Sequence, residues 1–397
     1  MDRHAMSSRR KIALRVLAAI GLIALATYAA IRSRDRGNDF KYPFGAARLL
    51  AETGSLHVRA QPRYPITFHV LLAPLARLPI GVAATLWAVL SVAALVATPF
   101  ALAKLSGIPP RRQVLAWLYA GPFFVDAIAL GQADPIDFFL VTLGLIAVDR
   151  GRGILGAVLV GVAGLVKILP VVHWGTCFVR SRTWGEAARV VAGVFLVAAL
   201  GFGLVAIAVG PMSAWDGFVE QARLISTREK PWHLVDRGGD LRANNESLPI
   251  VLARTFGAMD ATRPREVVVL ARLPLPWIWG AWFATVAVLG LGWLASIGPA
   301  RRIPRARGTV GMFALGSTLM LATTPICWHH YFLWTLPAAI FLADRPRLIA
   351  GLAIASILGS AVPAARGLGV HATIAIGLFV VVARAIRREA SSPVDPA

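Results

Sequence analysis

The stretch IGVAATLWAVLSVAALVATPFALAK, residues 80–104, contains no charged residue before its last position, Lys104. About 20 consecutive apolar residues are enough for a helix to cross the hydrocarbon core of a bilayer. Runs of the same kind recur at 12–31, 113–130, 135–148, 153–166, 168–180, 189–210, 272–298, 309–323, 328–343, 347–362 and 369–386. They are continuous, unlike the alternating segments of roughly ten residues that mark a membrane barrel. The expectation is therefore an all-α, polytopic membrane helical bundle with about 10–12 transmembrane helices. The runs 153–166 and 168–180 are short for an upright crossing, and fit either a re-entrant pair or two shortened helices leaning on neighbours.

Composition agrees with this reading. Of 397 residues, 57% are hydrophobic and 15% charged, and the mean hydropathy is +0.66. Soluble domains average about 45–50% apolar and about 25% charged residues. The net charge of +21 does not imply a nucleic-acid partner, because the cations sit in short clusters between apolar runs, where they orient helices against an anionic leaflet. The two cysteines, Cys177 and Cys327, show no metal-binding spacing and no disulfide framework. Ser8-Arg9-Arg10-Lys11 loosely resembles a twin-arginine export signal. The run after it is long enough to span, which favours a positive flank that holds the N-terminus inside.

Residues 1–390 are expected to form one integral membrane domain, followed by a short tail at 391–397. With the N-terminus inside, the clusters Lys104/Arg111/Arg112, Arg150/Arg152, Arg180/Arg182, Arg301/Arg302/Arg305/Arg307, Arg345/Arg347 and Arg384/Arg387/Arg388 all fall on the cytoplasmic side. Both termini are then cytoplasmic, and the expected location is the inner (cytoplasmic) membrane. Two long external loops remain, 32–79 and 211–271. The first is basic, which suits either an anionic donor or anionic lipid head groups. It is expected to carry one or two amphipathic surface helices, with Ala46, Ala47, Leu49 and Leu50 as the apolar stripe and Gly54 as a stop. Trp215 and Trp232 in the second loop are expected to be interface anchors.

In this topology the polar residues that interrupt the apolar runs converge on the external side. They are Asp39, Gln132 and Asp134, Lys167, the Asn244-Asn245-Glu246-Ser247 stretch, and His329-His330. Few comparable residues are expected mid-span elsewhere. Each has a plainer explanation. Asp39 can pair with Lys41 or Arg36, Lys167 can snorkel to the interface, and a His pair can sit among head groups. Asn245-Glu246-Ser247 also matches a glycosylation triplet that is frequent by chance. Independent causes of that kind would scatter residues over both faces, whereas these share one. A carboxylate can act as general base on an alcohol. An ammonium and an imidazole can steady a phosphate leaving group. No Asp-x-Asp pair, zinc cluster or Gly-rich phosphate loop accompanies them, so no metal or other cofactor is expected. Glycine spacings inside the runs are read as close helix packing.

The order of short landmarks adds a family. Asp39-Phe40, Ala46-Ala47, Gly54, Tyr64-Pro65, Leu72-Ala73-Pro74-Leu75-Ala76-Arg77-Leu78-Pro79 and Trp87 resemble the opening of glycosyltransferase family 87, which includes polyprenyl-phosphate-mannose-dependent mannosyltransferases. Gly131-Gln132, Lys167 with Pro170, Asn245 with Ser247 and Arg254, and Pro325 with Trp328 and His330 resemble its later landmarks in order. The likeness extends over about residues 36–340. It implies a GT-C type bundle with its active site outside the cytoplasmic membrane, facing the periplasm or the cell exterior. It also implies a polyprenyl-phosphate-linked sugar donor, a lipid or glycan acceptor hydroxyl, and inversion at the anomeric carbon. Asp39 is then the catalytic base and Lys167, His330 and His329 are the donor-phosphate residues. Gln132, Asp134, Tyr64, Asn244, Asn245, Glu246, Arg254 and Trp328 become substrate contacts.

The chain departs from the family pattern at Pro43-Phe44, where paired Tyr is frequent, and at Ile66, where a second Pro is. Asp134 stands where Asn is usual, Glu246 where Gln is, and Cys327 where Ser is. These differences bear on the substrate more than on the reaction class. The rival class is a transporter or flippase of lipid-linked sugars. It would spread polar residues through the bilayer midplane rather than crowd them on one face.

Overall fold

A computed structural model describes residues 39–58, 64–228, 245–257 and 269–392, with isolated positions 27 and 31. The expected first span at 12–31, apart from positions 27 and 31, falls outside this set, as do Asn244, Trp232 with most of the loop around it, and residues 393–397 of the expected tail at 391–397. The described residues are helical, with isolated bridges Asn245–Trp328 and Gly257–Leu273. In chain order the helices are α1 (Lys41–Thr53), α2 (Ile66–Ala76), α3 (Ile80–Ser106), α4 (Val114–Ala129), α5 (Asp134–Asp149), α6 (Gly153–Val166), α7 (His173–Arg180) and α8 (Trp184–Val209). There follow α9 (Pro211–Arg228), α10 (Leu248–Phe256), α11 (Leu275–Arg302), α12 (Arg305–Thr323), α13 (Leu336–Phe341), α14 (Pro346–Ala361), α15 (Pro363–Gly367) and α16 (Val370–Ser391).

Four of these, α3, α8, α11 and α16, are long and apolar enough to cross a membrane by length and composition. The helices α2, α4, α6 and α14 are apolar but shorter. At 1.5 Å per residue the 16 residues of α4 extend about 24 Å, short of an upright crossing. Large apolar side chains face outward along the long helices, among them Phe195, Leu200 and Ile207 of α8 and Val288, Leu291 and Leu294 of α11. An outward face of that kind suits lipid rather than water, and the architecture is that of a multi-pass membrane bundle. The core is built where α4, α5, α12, α13, α14 and α16 meet, around Phe123, Phe138, Phe313, Phe332, Trp334 and Phe341.

Several expectations are corrected. The run 168–180 is not one helix. Pro170 sits in a 3-10 turn, Leu169–Val172, and α7 begins only at His173. The run 328–343 starts as a 3-10 segment, His329–Thr335, and becomes α-helical only at α13, where Pro337 occupies an early position that needs no N–H donor. In the first external loop, α1 ends at Gly54 (φ +66°), whose N–H bonds to Leu50 O, as the stop signal predicts. Ala46, Ala47 and Leu50 are buried, but Leu49 is exposed. The second helix of that loop, α2, does not lie on the surface. Its sequence, ITFHVLLAPLA, is apolar on all sides, and Ile66, Thr67, Phe68, His69, Val70, Leu72 and Ala76 are buried.

Glycine sets the approach of α5, α6 and α8. A Cβ on Gly144 would lie 2.8 Å from Gly156 O, and one on Gly156 would lie 2.7 Å from Gly144 O. A Cβ on Gly161 would meet Val197 at 2.6 Å. Backbones this close leave no room for a side chain, which is the small-residue packing of membrane helices.

Candidate active site

The site is assembled at one end of the bundle, beginning with the turn between α4 and α5. Gly131 adopts φ +68°, a conformation that glycine reaches without a Cβ penalty. Gln132 N then bonds to Ala127 O (2.8 Å) and Gly131 N to Ile128 O (3.0 Å), closing the end of α4 in a Schellman motif. The turn also holds Asp39, whose N–H donates to Leu130 O (3.0 Å). Trp87 Nε1 donates to Gly131 O (3.0 Å), and Phe40 stacks on the Trp87 ring at 5.7 Å. The backbone of Asp39 is thereby fixed beside Gln132. The Gln132 amide donates to Asp39 Oδ2 at 2.6 Å, and the Tyr64 hydroxyl donates to Gln132 Oε1 at 3.4 Å. Gln132 is buried while Asp39 is half-buried, so the carboxylate has one side open. Desolvation raises the Tyr64 phenol above its ordinary range, with Lys167 pulling the other way, which keeps it a proton donor at neutral pH.

Lys167 and Asp134 form the second part. Pro170 prevents α6 from continuing, and Lys167 caps it in extended conformation (φ −147°, ψ 127°). Asp134 opens α5, where the helix dipole favours a carboxylate. Lys167 Nζ donates to Asp134 Oδ2 at 2.7 Å and stands 3.8 Å from the centre of the Tyr331 ring. Trp334 Nε1 donates to Asp134 Oδ1 (3.2 Å). Lys167 is 7% exposed and Asp134 fully buried.

The 3-10 segment after Trp328 carries both histidines inward. His330, fully buried, lies between two carboxylates, with Nε2 3.7 Å from Asp134 Oδ2 and Nδ1 3.7 Å from Asp126 Oδ2. His329 Nδ1 is 3.3 Å from the same Asp126 oxygen, and its Nε2 is 2.7 Å from Ser360 Oγ. The His329 ring meets His371 edge-on at 5.0 Å, and His371 Nδ1 is 2.7 Å from Glu246 Oε2. A chain of polar side chains thus runs Lys167–Asp134–His330–Asp126–His329–His371–Glu246.

Asn245, Glu246 and Arg254 are buried in a second group. Asn245 Oδ1 accepts the N–H groups of Ser247 (3.2 Å) and Cys327 (3.1 Å), and Glu246 N donates to Cys327 O (2.7 Å). Arg254 donates to the carbonyls of Gly367, Asn245 and Arg366. These bonds tie α10 to the segment before His329 and to α15. Trp328 packs against the apolar cluster of Ile250, Ala253, Ile278 and Ile326.

Sequence reasoning expected few polar residues mid-span outside its set, and the further ionisable residues lie in the first or last turns of their helices. Asp126 lies in the last turn of α4 and Asp137 in the first turn of α5, while His173 and His371 are the first and second residues of α7 and α16, and all but the half-exposed Asp126 are buried. Asp126 and His371 complete the polar chain. A signal for them existed, since an ionisable residue inside an apolar run is costly and marks a partner. Tyr331 and Trp334 carried no such signal, because an aromatic in an apolar run is ordinary.

Chemically, the half-open Asp39 can accept a proton from a hydroxyl. The Lys167 ammonium and the buried imidazole of His330 can stabilise negative charge in a low-dielectric setting, where such contacts are stronger than in water.

Among known proteins, the chain matches glycosyltransferase family 87 over residues 63–325. That match includes Tyr64, Gln132, Asp134, Lys167, Asn245, Glu246 and Arg254, while Asp39, Trp328, His329 and His330 lie beyond it. The chain is 27% identical over 300 residues to the polyprenol-phosphate-mannose-dependent alpha-(1-2)-phosphatidylinositol pentamannoside mannosyltransferase of Mycolicibacterium smegmatis, covering 75% of this chain and 64% of that protein. It therefore spans slightly less than two thirds of that relative's length. The crystal structure of ArnT from Cupriavidus metallidurans in the apo state aligns with 93% of this chain and 78% of its own, at 16% identity and a TM-score of 0.35.

Proposed function

This chain belongs to glycosyltransferase family 87, and on that premise we propose that it is a GT-C type membrane enzyme that moves a mannosyl group from a polyprenyl-phosphate carrier to a hydroxyl of a lipid or glycan acceptor. The observation that carries the reading is the shared end of the bundle. Asp39 with its Gln132 partner and the Lys167–Asp134–His330 group are joined across a single turn, Gly131 to Asp134. A base for the acceptor and cations for the leaving group are what such a transfer requires.

In the proposed step the acceptor O–H gives its proton to Asp39. The acceptor oxygen forms a bond to the anomeric carbon as the bond from that carbon to the phosphate oxygen breaks, with inversion. Polyprenyl phosphate leaves with the electron pair, steadied by Lys167 and His330. Gln132 holds Asp39 by one oxygen and leaves the other for the acceptor. The phosphate is an activated leaving group already, so the protein's own cations are sufficient to offset its charge. The relative from Mycolicibacterium smegmatis is named for a polyprenol-phosphate-mannose donor and a phosphoinositide-linked mannoside acceptor, which is the support for mannose and for a lipid-linked glycan. The site is proposed to face away from the cytoplasm, with both termini inside.

The test is transfer of labelled mannose from polyprenyl-phosphate-mannose by the purified protein, with Asp39→Asn in parallel. Transfer by the parent and its loss in the variant support the reading. Flux of lipid-linked sugar across proteoliposomes without transfer would place the chain with transporters instead. Side-specific labelling of single cysteines at positions 39 and 182 in sealed vesicles tests the orientation.

A further inference from the structure

The opposite end of α5 carries a different kind of site. Asp134 and Asp149 bound that helix, about 22 Å apart at 1.5 Å per residue. At the Asp149 end, the C-termini of α7 and α11 and the start of α12 border a half-open cavity of about 280 Å³ lined by Arg180, Ser181, Arg182, Arg301, Ile303 and Arg305. Four guanidinium groups share this space with no carboxylate in its lining.

The cluster is built rather than incidental. Arg180 is buried, and three of its five N–H donors go to Thr309 Oγ1 (3.0 Å), Ala300 O (2.8 Å) and Arg305 O (3.1 Å). Gly308 gives it room, since a Cβ there would lie 3.0 Å from Arg180 Nη1. Arg301 Nε donates to Val179 O (3.1 Å), and the residue is exposed. The nearest carboxylate, Asp149, compensates Arg305, whereas among the described residues no carboxylate pairs with the guanidinium groups of Arg180, Arg182 and Arg301. Asp149 accepts from Arg305 Nε (2.9 Å) and Thr309 Oγ1 (2.8 Å), and Glu186 accepts the backbone N–H of Arg182 (2.7 Å). The three guanidinium groups without a carboxylate partner repel one another across the shared space. An anion with several oxygens relieves that repulsion and takes up the remaining forked donors, the pattern in which arginine is preferred over lysine.

We propose that this pocket binds a phosphate oxyanion at the end of the bundle remote from Asp39, presented either as the head group of an anionic lipid or as soluble phosphate. The cavity is slightly smaller than the roughly 300–1,000 Å³ of pockets for drug-sized ligands, which suits a head group. The site is independent of the proposed transfer reaction and shares no residue with it.

The experiment uses the purified full chain and reads its melting temperature in two arms. One titrates inorganic phosphate into protein in uncharged detergent. The other compares phosphatidylcholine nanodiscs with and without phosphatidylglycerol. The proposal expects at least one arm to raise the melting temperature of the parent, and the responding arm identifies the source. Arg182→Gln/Arg301→Gln, which leaves the buried Arg180 in place, is expected to need about tenfold more ligand for the same shift, equivalent to about 1.4 kcal/mol. Arg302→Gln, an arginine of the same helix end outside the lining, is expected to respond like the parent. Should the double variant fail to fold, Arg182→Gln alone, at an exposed side chain, takes its place. No shift in either arm overturns the proposal. So does an equal response in the parent and the lining variant, or an equal weakening by Arg302→Gln, which would mean diffuse surface attraction rather than a site.

Discussion

The Lys167 ammonium lies 2.7 Å from the Asp134 carboxylate, and both side chains are buried. The cation proposed to meet a phosphate is therefore compensated at rest by a carboxylate that Trp334 and His330 also approach. In the proposed reaction the entering phosphate would share the ammonium with Asp134 and draw on His330 for the rest. In this chain an aspartate occupies that position, so the resting site is held together by charge and not by an amide.

The first prediction concerns that pair. Removing one member of a buried ion pair leaves an uncompensated charge and costs about 3–5 kcal/mol, whereas removing both costs less. Lys167→Met should lower the melting temperature of the purified protein markedly. The double variant Lys167→Met/Asp134→Asn should recover part of the loss. A double variant no more stable than the single one would show that the pair is not the source of the effect.

A second prediction follows from the Gln132–Asp39 bond of 2.6 Å. Asp39→Asn keeps the size and polarity of the side chain but cannot take a proton, so transfer should fall by about 10²–10⁴ with expression unchanged. Gln132→Ala frees the carboxylate without removing it and should cost less. Initial rates with labelled donor decide the matter, and an Asn variant close to parental activity would exclude Asp39 as base.

Asp126 supplies the third. Its Oδ2 lies 3.3 Å from His329 Nδ1, within hydrogen-bond reach, and 3.7 Å from His330 Nδ1, beyond it, so it orients the His329 ring directly and acts on His330 only through its charge. Asp126→Asn preserves shape and removes the charge. It should lower kcat/KM about 10–100-fold, or about 1.4–2.7 kcal/mol, with a melting temperature near the parent's. An equal fall in stability and activity would instead assign Asp126 to packing.

Two glycines furnish the fourth. A Cβ at Gly156 would stand 2.7 Å from Gly144 O on the neighbouring helix, while one at Gly203 meets nothing within 4 Å. Gly156→Ala forces α5 and α6 apart and should destabilise by about 1–3 kcal/mol, the usual cost of overpacking. Gly203→Ala, in the interior of α8, should be neutral or stabilising by about 0.4–1 kcal/mol. Melting temperatures of the two variants in one detergent should move in opposite directions or differ clearly in size.

The helical elements were largely legible because their signals are local. The run 153–166 matches α6 residue for residue, and 113–130 and 135–148 match α4 and α5 to within a residue at each end. Prolines at 170 and 337 broke two expected helices, since a ring that removes an N–H donor also changes the turn in front of it. α2 was mistaken for a surface element because its place in an external loop was weighed above its uniformly apolar sequence. Within the site, Asp39, Gln132, Asp134, Lys167 and His330 stood out as polar breaks in apolar text, and the structure gathers them at one end. Asp126 and His371 carried the same signal and were passed over. Arg254 was singled out only by the family resemblance, and it donates to three backbone carbonyls, contacts that no sequence pattern encodes.

The order of residues along the chain determined that this is a helical membrane protein, where most of its helices start and stop, and which side chains are too polar to sit in them without a partner. Those properties depend on neighbours within a few positions, through hydrogen bonding, capping and transfer from water to hydrocarbon. Which partner each polar group received was decided by the packing of helices. Lys167 finds Asp134 across 33 positions, and Asp134 finds Trp334 across 200. Such distances close only when apolar faces and glycine contacts set the helices side by side. The same packing gathers four arginines from three helix ends around one cavity, a grouping invisible in the linear text because Arg180 and Arg305 are brought together only by the fold.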